Sequence, residues 1–321
     1  MNFKFLFEHI NQAKTFLLLT HENPDIDGLA SMLSFFLAHP EKNLIPLVEK
    51  IPENAYFLHG IEHIKLIQDF IQPIEVDTIV LFDAQCEKRV PKEIRNMIKG
   101  KAVIVFDHHQ IEDCSPFLGL SPLKLIDPKE PSTTSLLYKY LVSLPYSLNT
   151  QIAENLLAGI YYDTGGFRYE NVKGDIFLVA HELISLGARP YYIAQALFEN
   201  LTLEQIECMK LILSRLEFLK NGTIALSYLQ AEDFQRWGDK GLNDLASFLR
   251  SIKGVKIAAL VREIKPKEIK VSLRSKAPIE SLLLAQRYGG GGHKYACGFT
   301  VKNKELFTFL KEFKEVLRNY L

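Results

Sequence analysis

At 321 residues, with 47% hydrophobic and 24% charged residues and a formal net charge of zero, the chain is typical of a soluble protein with two domains that each bury a core. It has no apolar run approaching the roughly 20 residues that span a membrane and no signal-peptide cleavage site near its start, so we expect a cytoplasmic protein with no membrane partner. Its cysteines include no CxxC pair, which argues against a disulfide framework or a zinc ribbon; they are Cys86, Cys114, Cys208 and Cys297.

The first 190 residues alternate short apolar runs with amphipathic segments. Apolar runs bounded by turn residues predict strands, and the amphipathic segments between them predict helices. Near-continuous apolar strands that alternate with helices are typical of a mainly parallel sheet covered on both faces. The predicted strands are 16–20, 44–48, 78–83, 102–107 and 123–126, and the predicted helices are 28–38, 90–98 and 133–142.

Residues 150–220 favour helices, and the rest of the chain returns to a mixture of strands and helices. We predict an α/β fold with an N-terminal domain over 1–190, a helical linker over 191–222 and a smaller C-terminal α/β domain over 223–321. The helices predicted in the middle region are 151–162, 175–186, 191–199 and 203–220, the last ended by Asn221-Gly222. Beyond them the predicted strands are 223–229, 255–263, 269–274 and 296–301, with helices 278–287 and 305–321.

The two halves differ in charge. Residues 1–190 hold 17 Lys and Arg against 24 Asp and Glu, whereas residues 191–321 hold 21 against 14. An acidic half suits cation binding and a basic half suits phosphate binding, although ordinary solvated surface gives the same asymmetry. The zero net charge argues against a protein that tracks long duplex nucleic acid, because such proteins usually carry a basic excess.

Acidic and histidine side chains follow four of the predicted elements at the point where each ends. Because the carboxyl ends of parallel strands meet at one edge of a sheet, we expect these side chains to share one pocket. Taken singly, an Asp at such a position is usually a turn or helix cap, and Asp27 alone suits the cap of the helix that begins at Gly28. The clusters are His21, Asp25 and Asp27 after strand 16–20, Asp83 after 78–82, Asp107, His108 and His109 after 102–106, and Asp163 after helix 151–162.

The residue types in these clusters suit a pair of divalent metal ions. Two ions about 3.5–4 Å apart can clamp a phosphoryl group and activate a water molecule. A mixture of imidazole and carboxylate ligands suits Mn²⁺, with zinc, iron or cobalt as alternatives. A ligand shared by both ions has to be a carboxylate, because only its two oxygens can bridge them. Four clusters that each directly follow an apolar segment therefore predict a metal site.

The order and spacing of these motifs resemble the DHH phosphoesterase family, named after the triplet that here is Asp107-His108-His109. The motif HENPDIDGLAS, which begins at His21, the lone Asp83 after an apolar strand and YYDTGGF around Asp163 look like the family's other motifs. The resemblance covers essentially the whole chain. It implies an α/β catalytic domain followed by a substrate-binding domain.

Within the family, the combination of DTGGFR, SLRS (Ser272–Ser275) and GGGGH (Gly289–His293) is similar to the NrnA-type enzymes. Those enzymes degrade RNA fragments a few nucleotides long and dephosphorylate 3′-phosphoadenosine 5′-phosphate (pAp). The chain departs from the family pattern at Gly28-Leu29-Ala30-Ser31, which replaces the more usual Ala-Ile-Gly-Ser. The change swaps two small residues and preserves size.

The resemblance implies roles for the clustered residues. Asp83 would bridge two ions, most suitably Mn²⁺. Asp107 would orient His108 through a hydrogen bond that fixes its tautomer. His109 would contact the scissile phosphate without binding metal. The remaining ligands implied are His21 and Asp25 for one ion, and Asp27, His108 and Asp163 for the other.

The basic half holds candidates for gripping a phosphate. Consecutive glycines let backbone N–H groups approach an anion closely, so Gly290, Gly291 and Gly292, followed by His293, suit a phosphate nest better than a flexible connector. Arg274 has the planar guanidinium that suits bidentate contact with a phosphate. Arg168 fits a phosphate contact and a structural salt bridge equally well. In the resembling family the second domain grips the part of the nucleotide away from the cleavage point.

These features predict a two-metal phosphoesterase that hydrolyses very short RNA or DNA oligonucleotides to nucleoside monophosphates and pAp to AMP. A cleft between two domains would measure a short ligand and close over it. A cyclic-dinucleotide or linear pApA phosphodiesterase and a non-catalytic nucleotide sensor are the alternatives. A RecJ-type exonuclease would need further domains, and inorganic pyrophosphatases lack the GGGGH and SLRS motifs. The sequence leaves open the cleavage polarity, the physiological metal and the choice between monomer and homodimer.

Overall fold

The computed structural model describes residues 3–69, 75–110, 120–145, 147–237 and 243–321. The chain folds into two compact units, Met1–Asn200 and Leu201–Leu321. Each unit contains a six-stranded sheet. The segment predicted as a linker, 191–222, is divided between the two units, since residues 191–200 belong to the first and 201–222 to the second.

The first unit alternates strands and helices along most of its length. Within its described residues, single 3₁₀ turns lie in the connections at Glu53–Ala55, Ile61–His63, Ile67–Asp69 and Glu87–Arg89. Its described helices and strands are, in chain order, α1 (Phe3–Gln12), β1 (Thr15–Leu19), α2 (Ile26–Ala38), β2 (Asn43–Val48), β3 (Lys65–Leu66), β4 (Thr78–Phe82), α3 (Lys92–Ile98), β5 (Ala102–Asp107), β6 (Leu120–Ile126), α4 (Thr133–Leu141), α5 (Thr150–Thr164), α6 (Gly174–Ser185) and α7 (Pro190–Phe198).

The first sheet is parallel throughout, with the order β3-β2-β1-β4-β5-β6. Successive side chains of a strand point to opposite faces, so Phe16 and Leu18 join the core with α2, α4 and α5, whereas Leu17 and Leu19 join the core with α3. The predicted parallel sheet covered on both faces is confirmed. The strand order reverses between β1 and β4, which are hydrogen-bonded neighbours. Ligands of such sheets bind outside the strand ends at this reversal.

The second unit has the sheet order β11-β12-β10-β9-β8-β7, antiparallel except for the parallel pair β8 and β9. One face packs against α11 and α12, and the other against α8 and α10. Its described elements are α8 (Leu203–Ser214), β7 (Glu217–Leu219), β8 (Ile224–Leu229), α9 (Ala231–Trp237), α10 (Asn243–Ser251), β9 (Ile257–Lys265), β10 (Glu268–Ser275), α11 (Ser281–Gln286), β11 (Gly291–His293), β12 (Ala296–Lys302) and α12 (Leu306–Tyr320).

The helix predicted over 203–220 is wrong in its last third. The helix ends at Ser214, and Glu217–Leu219 forms an edge strand antiparallel to β8. Lys220 and Asn221 adopt left-handed backbone conformations, with φ of 47° and 54°, which turn the chain into β8. Helical spacing of apolar residues continued past Ser214, but the turn at Asn221-Gly222 closes a strand hairpin and caps no helix. The prediction also missed α1, α9 and α10.

The structure bears on two expectations drawn from composition, which concern the cysteines and membrane-spanning segments. Cys86 is disulfide-bonded, a bond for which the scattered spacing of the cysteines carried no signal. Cys208 and Cys297 are buried and free, and Cys114 lies outside the described residues. Within the described ranges, none of the helices is both long and apolar enough to cross a membrane.

Candidate active site

His21 and Asp25 lie in the turn that joins β1 to α2. Asp25 is the residue that caps α2, accepting a hydrogen bond from the Gly28 N–H at 3.0 Å. The His21 Nδ1 lies 2.8 Å from the carbonyl oxygen of Glu22, which directs Nε2 toward the carboxylates of Asp25 and Asp83. A Cβ at Gly28 would overlap Oγ1 of Thr20, so the turn can pack this closely because residue 28 is glycine.

Asp83 follows β4 and is the best placed of the carboxylates to be shared. Its backbone is left-handed, with φ of 56°, a conformation that Asp tolerates better than most residues. Oδ2 lies 3.4 Å from Nε2 of His21, whereas Oδ1 lies 3.6 Å from Nε2 of His108. Oδ2 of this buried carboxylate therefore faces His21, whereas Oδ1 faces His108 and also lies 3.3 Å from Nδ1 of His109.

The triplet after β5 places its side chains differently from the expectation. Asp107 Oδ1 accepts a hydrogen bond from the His109 backbone N–H at 2.7 Å and lies 2.8 Å from Nδ1 of the His109 ring. Nδ1 of His108 instead lies 3.3 Å from the carbonyl oxygen of Glu130. The expectation that Asp107 orients His108 was wrong, because adjacent residues at a strand end point to opposite sides while alternate residues share one.

Asp27 and Asp163 are brought to the same place by two helices. Asp27 is fully buried in the first turn of α2, so it does not cap that helix as its position alone suggested. Asp163 lies in the last turn of α5, inside the helix and not after it. Its Oδ2 is 2.9 Å from Nε2 of His108.

The predicted ligands therefore converge at the reversal of strand order. Each of three groups offers ligand atoms that lie within 4.8 Å of one another, and Asp83 and His108 each belong to two groups. The groups are His21, Asp25 and Asp83; Asp27, His108 and Asp163; and Asp83, His108 and His109.

Burial and mutual proximity perturb the acidity of these side chains. Burial alone would lower the pKa of His21, but the carboxylates of Asp25 and Asp83 raise it to about 11. Burial would also lower the pKa of His109, but Asp107 and Asp83 outweigh that effect and raise the pKa to about 9. Burial, followed by the negative charges of Asp163 and Asp83, raises the pKa of Asp27 well above its ordinary value. The cluster thus carries more negative charge than its surroundings accommodate.

The donor set fits divalent metal ions. Asp25, Asp27, Asp83 and Asp163 crowd into one largely buried region, where carboxylates are stable only if paired with cations. His21 and His108 are each held through Nδ1 by a backbone carbonyl and direct Nε2 into the cluster, the arrangement in which an imidazole is oriented to bind a metal.

Two family models match the chain over regions that agree with this geometry. The DHH family N-terminal domain matches residues 15–160, which include every residue of the cluster except Asp163, and the DHHA1 domain matches residues 221–319. The chain belongs to the DHH family. It is therefore a hydrolase of the phosphoesterase class, and the predicted family resemblance is confirmed.

Relatives cover nearly the whole DHH chain at low identity. The bifunctional oligoribonuclease and PAP phosphatase NrnA of Thermus thermophilus is 24% identical over 312 residues, 95% of this chain and 89% of the relative. The protein of the same name from Bacillus subtilis is 26% identical over 308 residues, 92% of each chain. A solved structure of an exopolyphosphatase-related protein from Bacteroides fragilis matches with a TM-score of 0.88 at 24% identity, over 99% of this chain and 96% of that one, and shows that the fold is shared.

The glycine run of the DHHA1 domain is an ordered edge of the sheet. Gly291–His293 forms β11, with exposed residues that pair antiparallel with β12. A Cβ at Gly290 would overlap the carbonyl oxygen of Gly298, whereas one at Gly291 would meet no atom within 4 Å. Gly290 is therefore required for close approach of two backbones, a role that the sequence prediction missed.

The two candidate arginines already make contacts within their own units. Arg274 is half-buried at the end of β10, where its Nε lies 3.2 Å from Oγ of Ser247. Arg168 is exposed, and its Nε donates to the Gly165 carbonyl oxygen at 2.5 Å while its guanidinium lies 5.4 Å from the ring centroid of Phe198. These contacts orient each guanidinium within its own unit.

Proposed function

We propose that this DHH protein binds two divalent metal ions, most suitably Mn²⁺, and hydrolyses very short oligonucleotides to nucleoside monophosphates and pAp to AMP. The observation that carries the proposal is the position of Asp83, whose two oxygens face His21 and His108 at the reversal of strand order. A carboxylate in that position can bridge two ions. A single-metal site would have no need of a second histidine on the opposite oxygen.

The ligands divide between the two proposed ions according to the groups in the structure. His21 and Asp25 would hold one ion together with Asp83, and Asp83 would also complete the second set, which consists of Asp27, His108 and Asp163. Such ions supply positive charge for the phosphoryl group and activate water at neutral pH.

His109 has a separate role in the proposal. Its Nδ1 is directed at Asp107 and Asp83, so it would contact a substrate through Nε2. Against the lowering effect of burial, Asp107 and Asp83 raise the pKa of the ring to about 9 in the metal-free protein, which favours the protonated imidazole. Nε2–H could then donate a hydrogen bond to a phosphate oxygen or a proton to the leaving oxygen. Asp107 would hold the ring in that orientation.

The names of the two NrnA relatives support short oligonucleotides and pAp as substrates. In this chain we propose that Arg274, His293 and the N–H groups of Gly291 and Gly292 contact the part of the substrate remote from the reacting phosphate, with Arg168 as a further candidate. The expected contact through Gly290 is wrong, because its N–H already donates to the Ala285 carbonyl oxygen at 3.0 Å. Charge-assisted hydrogen bonds of this kind contribute about 1.5–3 kcal/mol each. Short substrates would depend on them strongly, because they have few other groups to bind.

A substrate panel with metal analysis tests the proposal. Metal-free protein should be inactive, and Mn²⁺ should restore more activity than Mg²⁺, because imidazole ligands favour the softer ion. The panel comprises RNA of graded length from dinucleotides upward, pAp, and linear and cyclic dinucleotides. We expect the highest kcat/KM for the shortest linear RNA, together with release of phosphate from pAp. Full activity after exhaustive chelation would contradict the two-metal proposal, and a preference for cyclic dinucleotides would favour the alternative activity.

A further inference from the structure

We propose that Thr133 and Thr134, at the amino end of α4, are positioning residues that hold Asp27 and Asp83 in place as metal ligands. The inference rests on the proposed function, since it concerns how two of the proposed ligands are oriented. Neither threonine was singled out from the sequence. Both are completely buried, and both contact carboxylates that are distant in the chain.

Asp27 accepts three hydrogen bonds from these two residues. The Thr133 N–H donates to Oδ2 at 2.6 Å. The Thr134 N–H and hydroxyl both donate to Oδ1, at 3.0 and 2.7 Å. Each carboxylate oxygen has about two acceptor sites, so both sites of Oδ1 are occupied and Oδ2 keeps one. Of the two oxygens of Asp27, Oδ2 therefore has more of its acceptor capacity left for an ion.

The same helical turn also reaches the carboxylate that faces both histidines. The Thr133 hydroxyl donates to Oδ1 of Asp83 at 2.8 Å. Ser132 caps α4 by accepting from the Ser135 N–H at 3.0 Å, and its Oγ lies 2.9 Å from Oγ1 of Thr134. The cap therefore orients the hydroxyl that contacts Asp27. One turn of helix couples a ligand proposed for one ion to the ligand proposed for both.

Gly159 of α5 closes this arrangement from the other side. A Cβ at residue 159 would lie 2.5 Å from Oγ1 of Thr134 and 2.7 Å from Oδ1 of Asp27. Asp163 lies four residues further along α5, on the same face of the helix. The absence of a side chain at Gly159 thus lets α5 approach closely enough to bring Asp163 beside Asp27.

Isosteric and conservative variants separate positioning from packing. Thr134→Val keeps the shape and removes the hydroxyl, and Thr134→Ser restores the hydroxyl. Thr133→Val likewise keeps the shape of the side chain and removes the hydroxyl that donates to Oδ1 of Asp83.

Mn²⁺ titration by calorimetry is the direct readout, with unfolding of the metal-free protein measured in parallel. Loss of an outer contact to a metal ligand typically costs about 10- to 100-fold in affinity. We expect Thr134→Val to weaken one of the two binding events by about tenfold, Thr134→Ser to recover it, and Thr133→Val to weaken both, because Asp83 is the ligand proposed for both ions. Ser227→Ala is the matched control, because it removes a buried hydroxyl that donates to Ile212 in the second unit at 2.6 Å; it should leave Mn²⁺ affinity unchanged.

The outcomes distinguish this inference from the proposed function. If the wild-type protein binds no Mn²⁺, the two-metal proposal itself fails. If the wild type binds two ions and Thr134→Val and Thr133→Val bind them equally well, the proposed function stands and the positioning role is wrong. A loss in Thr134→Val that Thr134→Ser does not recover would assign the effect to packing and would likewise overturn the inference.

Discussion

The two units place their functional candidates in opposite environments. In the first unit, Asp27, Asp83 and His108 are 0%, 2% and 8% exposed, at the carboxyl ends of parallel strands and helices. In the second, the glycine strand β11 is exposed on a sheet edge. Buried charges must be compensated within the protein or by a bound cation, whereas exposed groups exchange water for a ligand. Changes in the first unit should therefore alter metal content, and changes in the second should alter substrate affinity.

Asp83→Asn should have the largest effect. The substitution removes the proposed bridging ligand but keeps a residue that tolerates the left-handed backbone at this position. We expect both ions to be lost or to bind much more weakly. Activity should fall by more than about 100-fold, which is the upper end of the loss typical when a residue that only orients a metal ligand is replaced. Metal content by mass spectrometry and kcat/KM with Mn²⁺ provide the measurement.

His109→Gln is the control for that variant, because His109 is proposed to contact substrate without binding metal. It should keep two ions per chain while losing activity. Two ions retained by Asp83→Asn would mean that Asp83 is not shared between them.

Arg274→Ala should affect substrate binding and leave the metals in place. A lost charge-assisted contact predicts a decrease of about 10- to 150-fold in kcat/KM for a dinucleotide. A small artificial phosphodiester, which has no second group to bind, should be hydrolysed at nearly the wild-type rate. Arg274→Lys keeps the positive charge but not the planar guanidinium, so its kcat/KM for the dinucleotide should lie between those of the wild type and Arg274→Ala.

Arg287→Ala provides the comparison for a general surface effect, because Arg287 is an exposed arginine of the second unit. It should leave both substrates unaffected. Equal losses on the dinucleotide and the artificial ester in Arg274→Ala would instead indicate an effect on the metal centre or on folding.

Metal affinity should increase with pH. The carboxylates of Asp25 and Asp83 raise the pKa of His21 to about 11 in the metal-free protein, so an ion must displace its proton. For each proton released, the apparent association constant rises by up to about tenfold per pH unit below that pKa. Calorimetry in buffers of different ionisation enthalpy measures the released protons directly, and a pH-independent affinity would contradict the assignment of His21 as a ligand.

The sign of the accompanying stability change follows from the same shift. A raised pKa means that the folded metal-free protein holds the His21 proton more tightly than the unfolded chain. Its stabilising contribution is complete below the ordinary value of 6.5 and is lost as the pH rises toward about 11. With metal bound this contribution should disappear, because no proton is held there.

Gly290→Ala should have the smallest effect, confined to stability of the second unit. Its Cβ would overlap a backbone oxygen of Gly298, and such overpacking typically costs about 1–3 kcal/mol of unfolding free energy. Gly291→Ala is the matched control, since its Cβ would meet no atom within 4 Å. If the exposed N–H groups bind phosphate, Gly291→Ala should reduce substrate affinity without destabilising the protein.

The ends of the strands were predictable because a parallel strand that is buried on both faces is an almost continuous apolar run, and the polar residues of the site begin where that run stops. This pattern located His21, Asp83 and His108 correctly at the ends of β1, β4 and β5. It could not show which neighbour each side chain would contact, and the expected pairing of Asp107 with His108 failed for that reason.

Contacts between distant segments left no local signal. Thr134 and Asp27 are 107 residues apart, and a Ser-Thr-Thr sequence before a helix is an ordinary cap. The boundary at Ser214 failed similarly, because helical spacing of apolar residues does not reveal that the next segment pairs with a strand. In such cases the pairing of distant segments, and not the local preference for helix, decides where the helix ends.

The close fit of Gly28 against Thr20 has a consequence for the history of this chain. An alanine at position 28, which is the more usual residue of the family motif, would overlap the hydroxyl of Thr20 in its present rotamer, so threonine in this rotamer at position 20 depends on glycine at position 28. Among relatives that share this geometry, alanine at 28 should therefore accompany a smaller residue, or a different threonine rotamer, at position 20.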